Sequence, residues 1–194
     1  VELYENYYIE EDLDNGSTMR FFKNREKVNK VCLMKGELPA RTGEIAIDRM
    51  YADNNNLSVG DTLRSGKRTW KITGLVALSD YSCLFQNNND SMFDAVKFGV
   101  SVVTEEEFDS LEQEKLQYNY SWIYDEKPKT EKEEKEVSED LMEDMGKIVT
   151  LEAFVPRYLN QAITFTGDDM GGDKAMMIML LYIIMVIMLS LIHI

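Results

Sequence analysis

Residues 36–76, GELPARTGEIAIDRMYADNNNLSVGDTLRSGKRTWKITGLV, decide the reading of this chain. Gly36 and Pro39 punctuate the start. In GEIAID, Gly43–Asp48, Ile45 and Ile47 alternate with small or polar residues, the period of a short half-buried strand. Arg49–Asn56 has the length of two helical turns and ends in the run Asn54–Asn56. LSVGD, Leu57–Asp61, closes on a Gly-Asp turn. Thr62–Arg64 and Thr69–Leu78 read as a hairpin through Ser65–Gly66. Its second arm is rich in β-branched and aromatic residues. With a further strand expected at Val28–Met34, this region reads as an all-β lobe of short strands, continuing through the polar loop Ser79–Asn89 to residue 95.

Working outward, Val1–Ile9 and Thr18–Phe22 read as strands separated by the acidic turn Glu10–Gly16, so residues 1–27 complete the domain from its start. Beyond the lobe, Phe98–Val103 is a strand that runs into Thr104-Glu105-Glu106-Glu107, a capping-box pattern opening a helix with Phe108 and Leu111 on one face. Tyr118–Tyr124 is an aromatic strand. A second capping box, Thr130 to Glu133, opens a helix with a stripe at Val137, Leu141, Met145 and Ile148. Val149–Val155 is a last expected strand. Residues 96–160 are thus a β-α-β-α-β lobe, and the fold class is α+β with two lobes.

Residues 175–194, AMMIMLLYIIMVIMLSLIHI, carry no charge. At a rise of about 1.5 Å per residue they span about 30 Å, the thickness of a hydrocarbon core, and are expected to form a transmembrane helix. Residues 161–174 read as a juxtamembrane hinge, with Gly167, Gly171 and Gly172 as its joint. The flank TGDDMGGDK is acidic rather than basic and reads as external, which places residues 1–174 outside the cytoplasm. The opening strand and the apolar end make the chain read as a fragment. The last residues, LSLIHI, 189–194, back-translate to something resembling a transposon end used in sequencing-library preparation, so His193 carries no functional reading.

The chain has 194 residues and a formal net charge of −14, which argues against a nucleic-acid partner. Its one histidine lies in the apolar end, so His-based triads and His-containing zinc sites are excluded from the rest. No SxxK, GxSxG or phosphate-cradling GxxxxGK[ST] element is present, so the chain is not itself an ATPase. No cofactor is expected. Cys32 and Cys83 are either one disulfide or two thiols. Oxygen-rich runs at Asp53–Asn56 with Asp61, at Asn87–Asp90, and at Asp168, Asp169 and Asp173 are cation candidates, but a turn or hinge role fits each better. Tyr4, Tyr7, Tyr8, Tyr118, Tyr120, Trp122 and Tyr124 form an aromatic supply. Core packing is its ordinary use, and a groove for an apolar or peptide ligand is the sharper one.

These motifs, in this order, resemble the extracytoplasmic domain of FtsX-like (MacB-type) ABC transporter permeases. That family's G-x-x-P turn, GEIAI-type strand, L-x-V-G-D turn and Y/W-K-I-x-G strand correspond to Gly36 and Pro39, Gly43–Ile47 with Glu44, Leu57–Asp61 with Gly60 and Asp61, and Trp70–Gly74. VPRYLNQAITFTGDDMGGDKAMM, Val155–Met177, is similar to the approach to that family's second membrane helix. The resemblance implies a permease subunit in a cell membrane and in contact with membrane lipid. It implies a separate ABC ATP-binding subunit as partner and often a second permease half. Such permeases pass ATP-driven motion to an external domain, for export or for an extracytoplasmic process. The alternative is a membrane-anchored extracytoplasmic binding or sensor module without transport.

Overall fold

The computed structural model describes residues 1–66, 68–165, 178–186 and 188. Strands β1 (Glu2–Glu5), β2 (Tyr8–Asp12), β3 (Thr18–Lys23), β4 (Val31–Gly36) and β5 (Glu44–Asp48) lead into helix α1 (Arg49–Asn54). Then come β6 (Thr62–Ser65), β7 (Arg68–Leu78), β8 (Phe98–Val103), α2 (Glu105–Ser110), β9 (Tyr120–Ile123), α3 (Glu131–Gly146) and α4 (Gln161–Thr164). The result is a mixed α+β fold.

Among the described residues, seven strands form the main sheet in the order β2-β3-β8-β5-β7-β4, with β6 also paired to β7. The pairs β3–β8 and β5–β7 are parallel, and the others are antiparallel. The central strand β8 reads FGVSVV and is buried at every residue, as expected of a strand covered on both faces. On one face Met19 and Phe21 meet Tyr51 of α1 and Trp70 of β7 beside Gly99. A Cβ on Gly99 would come within 2.6 Å of the Tyr51 ring, so this position admits no side chain. On the other face Phe22 and Phe98 meet Tyr81, which belongs to the long loop after β7.

β7 is the hub. β5 lies along one edge of it, while β6 and β4 share the opposite edge, pairing with Arg68–Lys71 and Gly74–Leu78 respectively. Where β6 gives way to β4, Gly60 N–H donates to Ile72 O at 2.8 Å, Ile72 N–H to Asp61 O at 2.8 Å, and Glu37 N–H to Thr73 O at 2.9 Å. A second, two-stranded sheet pairs β1 with β9.

Several expectations change. Val1–Ile9 is not one strand: β1 pairs with β9 and β2 with β3, so the chain changes sheets at Asn6 and Tyr7. The boundary at residues 95/96 does not divide the sheet, because β8 lies between β3 and β5. Val149–Val155 forms no strand; Phe154 instead stacks on Trp122 with ring centroids 4.8 Å apart. The stripe of α3 is only half-buried, and Ile148 is 80% exposed. Among the described residues no helix is long and apolar enough to cross a membrane; residues 178–186 are helical, and the rest of the expected span lies outside the described residues, apart from residue 188.

Candidate functional site

The small sheet positions an exposed tyrosine face. The pairing of β1 with β9 continues past both strand ends, through Asn6 N–H to Asn119 O at 2.8 Å and the bridge between Tyr8 and Gln117. Alternation then sets Leu3, Glu5 and Tyr7 on the same face as Tyr118, Tyr120 and Trp122. The Tyr7 ring meets Tyr118 edge-on at 5.1 Å and Tyr120 at 5.3 Å. The hydroxyls of Tyr7 and Tyr120 are 2.5 Å apart, and this hydrogen bond, with burial second, pushes the Tyr7 phenol well above its usual range. The rings thus hold one another in place. Tyr118 is nevertheless 73% exposed and Tyr120 48%. A prearranged aromatic surface of this kind stacks on an apolar, aromatic or cationic group without first losing side-chain freedom. At its other end the face is closed, by Phe154 over Trp122 and by a hydrogen bond of 2.7 Å between the Tyr124 and Ser138 hydroxyls. Core packing, the ordinary expectation for these aromatics, therefore does not describe Tyr118 and Tyr120.

Two arginines tie the loop after β7 to the sheet. Arg20 donates to Glu10 Oε1 through Nε at 2.9 Å, to Tyr81 OH at 2.5 Å and to Gln86 O at 2.8 Å, with its guanidinium over the Tyr8 and Phe98 rings. Burial opposes its charge, but Tyr81, Tyr8 and Glu10 outweigh that and hold the proton more firmly than usual. Arg25 forks onto both Asp80 oxygens at 2.6 and 2.9 Å, reaches Asn6 Oδ1 at 2.6 Å, and lies over the Phe22 ring. This loop also receives the chain approaching the apolar segment. Cys83 N–H donates to Ala162 O at 3.0 Å, Gln161 N–H donates to Asn88 Oδ1 at 3.0 Å, and Phe85, Phe93 and Phe165 pack edge to face. The start of the expected hinge, residues 161–165, is therefore anchored to the body.

The family-motif residues converge on β7. Gly36 and Gly74 are register partners. A Cβ on Gly36, at φ +77°, would meet Thr73 O at 2.2 Å, and one on Gly74 would meet Glu37 O at 2.4 Å. The backbones cross there too closely for any other residue. Pro39 lies in the loop that follows β4, and Glu44 closes that loop by accepting from Ala40 N–H at 2.9 Å and Arg41 Nε at 2.9 Å. Asp61 accepts from Ser58 N–H at 2.8 Å, which fixes the turn holding Gly60. Gly43 N–H donates to Glu107 Oε2 at 2.7 Å. Gly167, Gly171 and Gly172, with Asp168, Asp169 and Asp173, lie outside the described residues.

The other oxygen-rich runs close turns. Asn54 and Asn55 donate to Met50 O and Tyr51 O, Asp53 pairs with Arg49 at 2.9 Å, and Asp90 accepts from Asn87 N–H. Cys32 is an exposed free thiol on β4, and Cys83 is buried beside Phe85 and Ala162. Sequence reading missed Glu107 as a buried acceptor and both loop-holding arginines. The pattern around Glu107 pointed to its other use, as a capping residue.

Asp48 caps α1, its Oδ1 accepting from Met50 N–H at 2.7 Å and Tyr51 N–H at 3.2 Å. Burial nevertheless pushes its pKa up to about 6 from 3.8, against the pull of those amides. A raised native pKa means that folding favours the protonated form. The stability this brings is full below 3.8 and is lost as pH rises through about 6. Asp48→Asn keeps a capping oxygen. It is expected to melt above the parent at neutral pH and together with it near pH 4. Parallel melting curves across that range would refute this.

The described chain is a mixed α+β domain built on one large sheet, with an exposed aromatic face beside it. No protein-family model and no curated protein matches the sequence. The crystal structure of the periplasmic region of MacB from Actinobacillus actinomycetemcomitans is similar over 77% of this chain and 76% of that chain, at 11% sequence identity and a TM-score of 0.40.

Proposed function

We propose that the chain is part of an ABC transporter permease subunit: an extracytoplasmic domain, residues 1–174, leading into a membrane helix at 175–194. It would couple the ATP-driven motion of a separate ATP-binding subunit to export or to an extracytoplasmic process. The observation that carries this reading is the order of the motifs at Gly36 and Pro39, Gly43–Ile47, Leu57–Asp61 and Trp70–Gly74, which, Pro39 apart, lie on or against β7. ATP hydrolysis would belong to the partner, and a second permease half would complete the membrane unit.

The anchoring of α4 supports a mechanical role. A displacement arriving along the chain would reach Phe165 and Ala162 first, and from there the loop that Arg20 and Arg25 hold against the sheet. A rigid body gripped in this way moves as one piece. Gly167, Gly171 and Gly172 would be the joint between that body and the membrane. The complete protein, purified gently from its native membrane, is expected to bring down an ABC ATPase whose turnover changes when the permease is present. Gly171→Pro with Gly172→Pro is expected to leave the ATPase bound while uncoupling its hydrolysis from external movement. A preparation free of ATPase even after mild crosslinking would overturn the permease reading. It would favour a membrane-anchored receptor that presents Tyr118 and Tyr120, the reading that the exposed tyrosine face supports.

A further inference from the structure

The two-stranded sheet has a free edge along β1. Tyr8 and Gln117 exchange both of their backbone hydrogen bonds, at 3.2 and 2.9 Å. In an antiparallel pair, residues bonded in this way alternate with residues whose N–H and C=O turn away from the partner strand. Counting back from Tyr8, the residues turned away are Tyr7, Glu5 and Leu3. Among the described residues β1 pairs only with β9, so these main-chain groups have no strand to bond. Glu5 is exposed and so is Leu3, at 45%. An open edge of this kind is a template for another extended chain.

The same three residues project onto the tyrosine face, and that face calls for a cation. Glu5 is the register partner of Tyr120, and its charge reaches the Tyr7 phenol. Among the described residues its carboxylate has neither a hydrogen bond nor an ion pair. The cation nearest to β1 is Lys27, which stands 5.7 Å from the centre of the Tyr4 ring. Tyr4 alternates with Leu3 and Glu5, so Lys27 serves the opposite face. An unpaired carboxylate thus lies beside the electron-rich rings of Tyr7, Tyr118 and Tyr120, and the three rings are already held in place by one another.

We propose that an extended peptide carrying an arginine adds to β1 as a third strand, with the arginine opposite Glu5. Its main chain pairs with Leu3, Glu5 and Tyr7. Its guanidinium forks onto the Glu5 carboxylate and lies against the tyrosine rings. Charge complementarity selects the side chain, since this face offers one free carboxylate, three rings and no cation. A guanidinium is planar, weakly hydrated and able both to stack and to fork, whereas a lysine ammonium is a compact and strongly hydrated charge. The open edge selects a peptide over a free small cation, because main-chain pairing supplies affinity while alternate side chains supply specificity. The proposal deepens the receptor reading of the tyrosine face by naming its ligand class. It needs neither the ATPase nor the membrane helix, so copurification and peptide binding can each fail without the other.

The test titrates the whole chain, in detergent micelles, with acetyl-Thr-Thr-Arg-Thr-Thr-amide and two relatives. One relative has citrulline for arginine, and the other is methylated at the main-chain nitrogen of the arginine. Backbone amide shifts at Leu3, Glu5 and Tyr7 report occupancy, and slowed hydrogen exchange at Leu3 and Glu5 reports strand pairing. The arginine peptide is expected to saturate. The citrulline peptide keeps the shape but loses the charge, and is expected to bind about tenfold more weakly. The methylated peptide keeps the charge but loses the bond to Glu5 O, and is also expected to bind about tenfold more weakly. Glu5→Gln is expected to weaken the arginine peptide about fivefold, the loss of one exposed ion pair. Tyr118→Ala is expected to weaken it about threefold, the loss of one exposed contact between a cation and a ring. Both side chains are exposed, so neither change disturbs the core. Failure of the arginine peptide to saturate, or an unchanged affinity in any of these four comparisons, would overturn the proposal. So would protection of the Tyr118 and Tyr120 rings from a soluble paramagnetic agent in peptide-free micelles, which would assign the face to lipid.

Discussion

Arg25→Ala is expected to destabilise the protein by about 3–5 kcal/mol, the range for removing one partner of a buried ion pair. The Arg25 side chain is 8% exposed and that of Asp80 is 9%, so loss of the guanidinium strands a carboxylate that water reaches poorly. Asn6 loses its partner as well, at the point where the chain passes from one sheet to the other. The pair is not a strong net stabiliser, because both ions surrendered their hydration and the Arg25 Nε is buried without an acceptor among the described residues. Arg25→Met with Asp80→Leu is therefore expected to recover most of the loss, since apolar groups of similar size carry no desolvation cost. Urea unfolding followed by circular dichroism measures all three proteins. A loss below about 1 kcal/mol for the single variant would mean that the pair behaves as an exposed one. Hydrogen exchange adds a spatial check: the loop carrying Tyr81 and Cys83 is expected to lose protection before β8 does, because Arg25 holds its first residues.

Local signals were legible in this sequence, and long-range ones were not. β5, β7 and β8 follow from alternation or from a continuous β-branched run, and their observed ends match the expected ones within a residue or so. Thr104 and Thr130 cap their helices as the spacing implied, each accepting from the amide three residues on. The crossing of Gly36 and Gly74 gives the two motif glycines a steric reason that composition could not supply. The sheet order needed information that no local pattern holds. Nothing within Phe98–Val103 says that it inserts between β3 and β5, so two regions read as separate lobes share one sheet. The split of Val1–Ile9 between two sheets and the open face of Tyr118–Tyr124 have a related reason. A strand pattern says that side chains alternate, and it does not say which partner each half takes or whether a face stays open. Tyr118 and Tyr120 are exposed because the opposing strand supplies only Leu3, Glu5 and Tyr7, and α3 and Phe154 reach no further than Tyr124 and Trp122.

Glu107→Ala carries the second large effect and tests how the motifs are joined. The capping-box pattern expects the Glu107 side chain to turn back to its own helix start. Thr104 does accept from Glu107 N–H at 3.2 Å, but the carboxyl points the other way. Its Oε1 accepts from Trp70 Nε1 at 2.7 Å and its Oε2 from Gly43 N–H at 2.7 Å. One side chain, 6% exposed, thus joins α2 to the start of β5 and to the indole beneath Phe21. Removal of the carboxyl leaves the buried indole N–H and the half-buried Gly43 N–H without acceptors, at about 1–3 kcal/mol for the first and less for the second, so a loss of about 2–4 kcal/mol is expected. Glu107→Gln keeps one acceptor oxygen and sets an NH₂ against the other donor, so it is expected to lose at least half as much. Trp70→Phe removes one donor while leaving a ring in the core. Combined with Glu107→Ala it should cost less than the sum of the two single changes, by about 1 kcal/mol or more, because the two groups share a bond. Additive losses in that double-mutant cycle would show that the indole and the carboxyl stabilise the fold independently. The order of the motifs would then owe nothing to this junction.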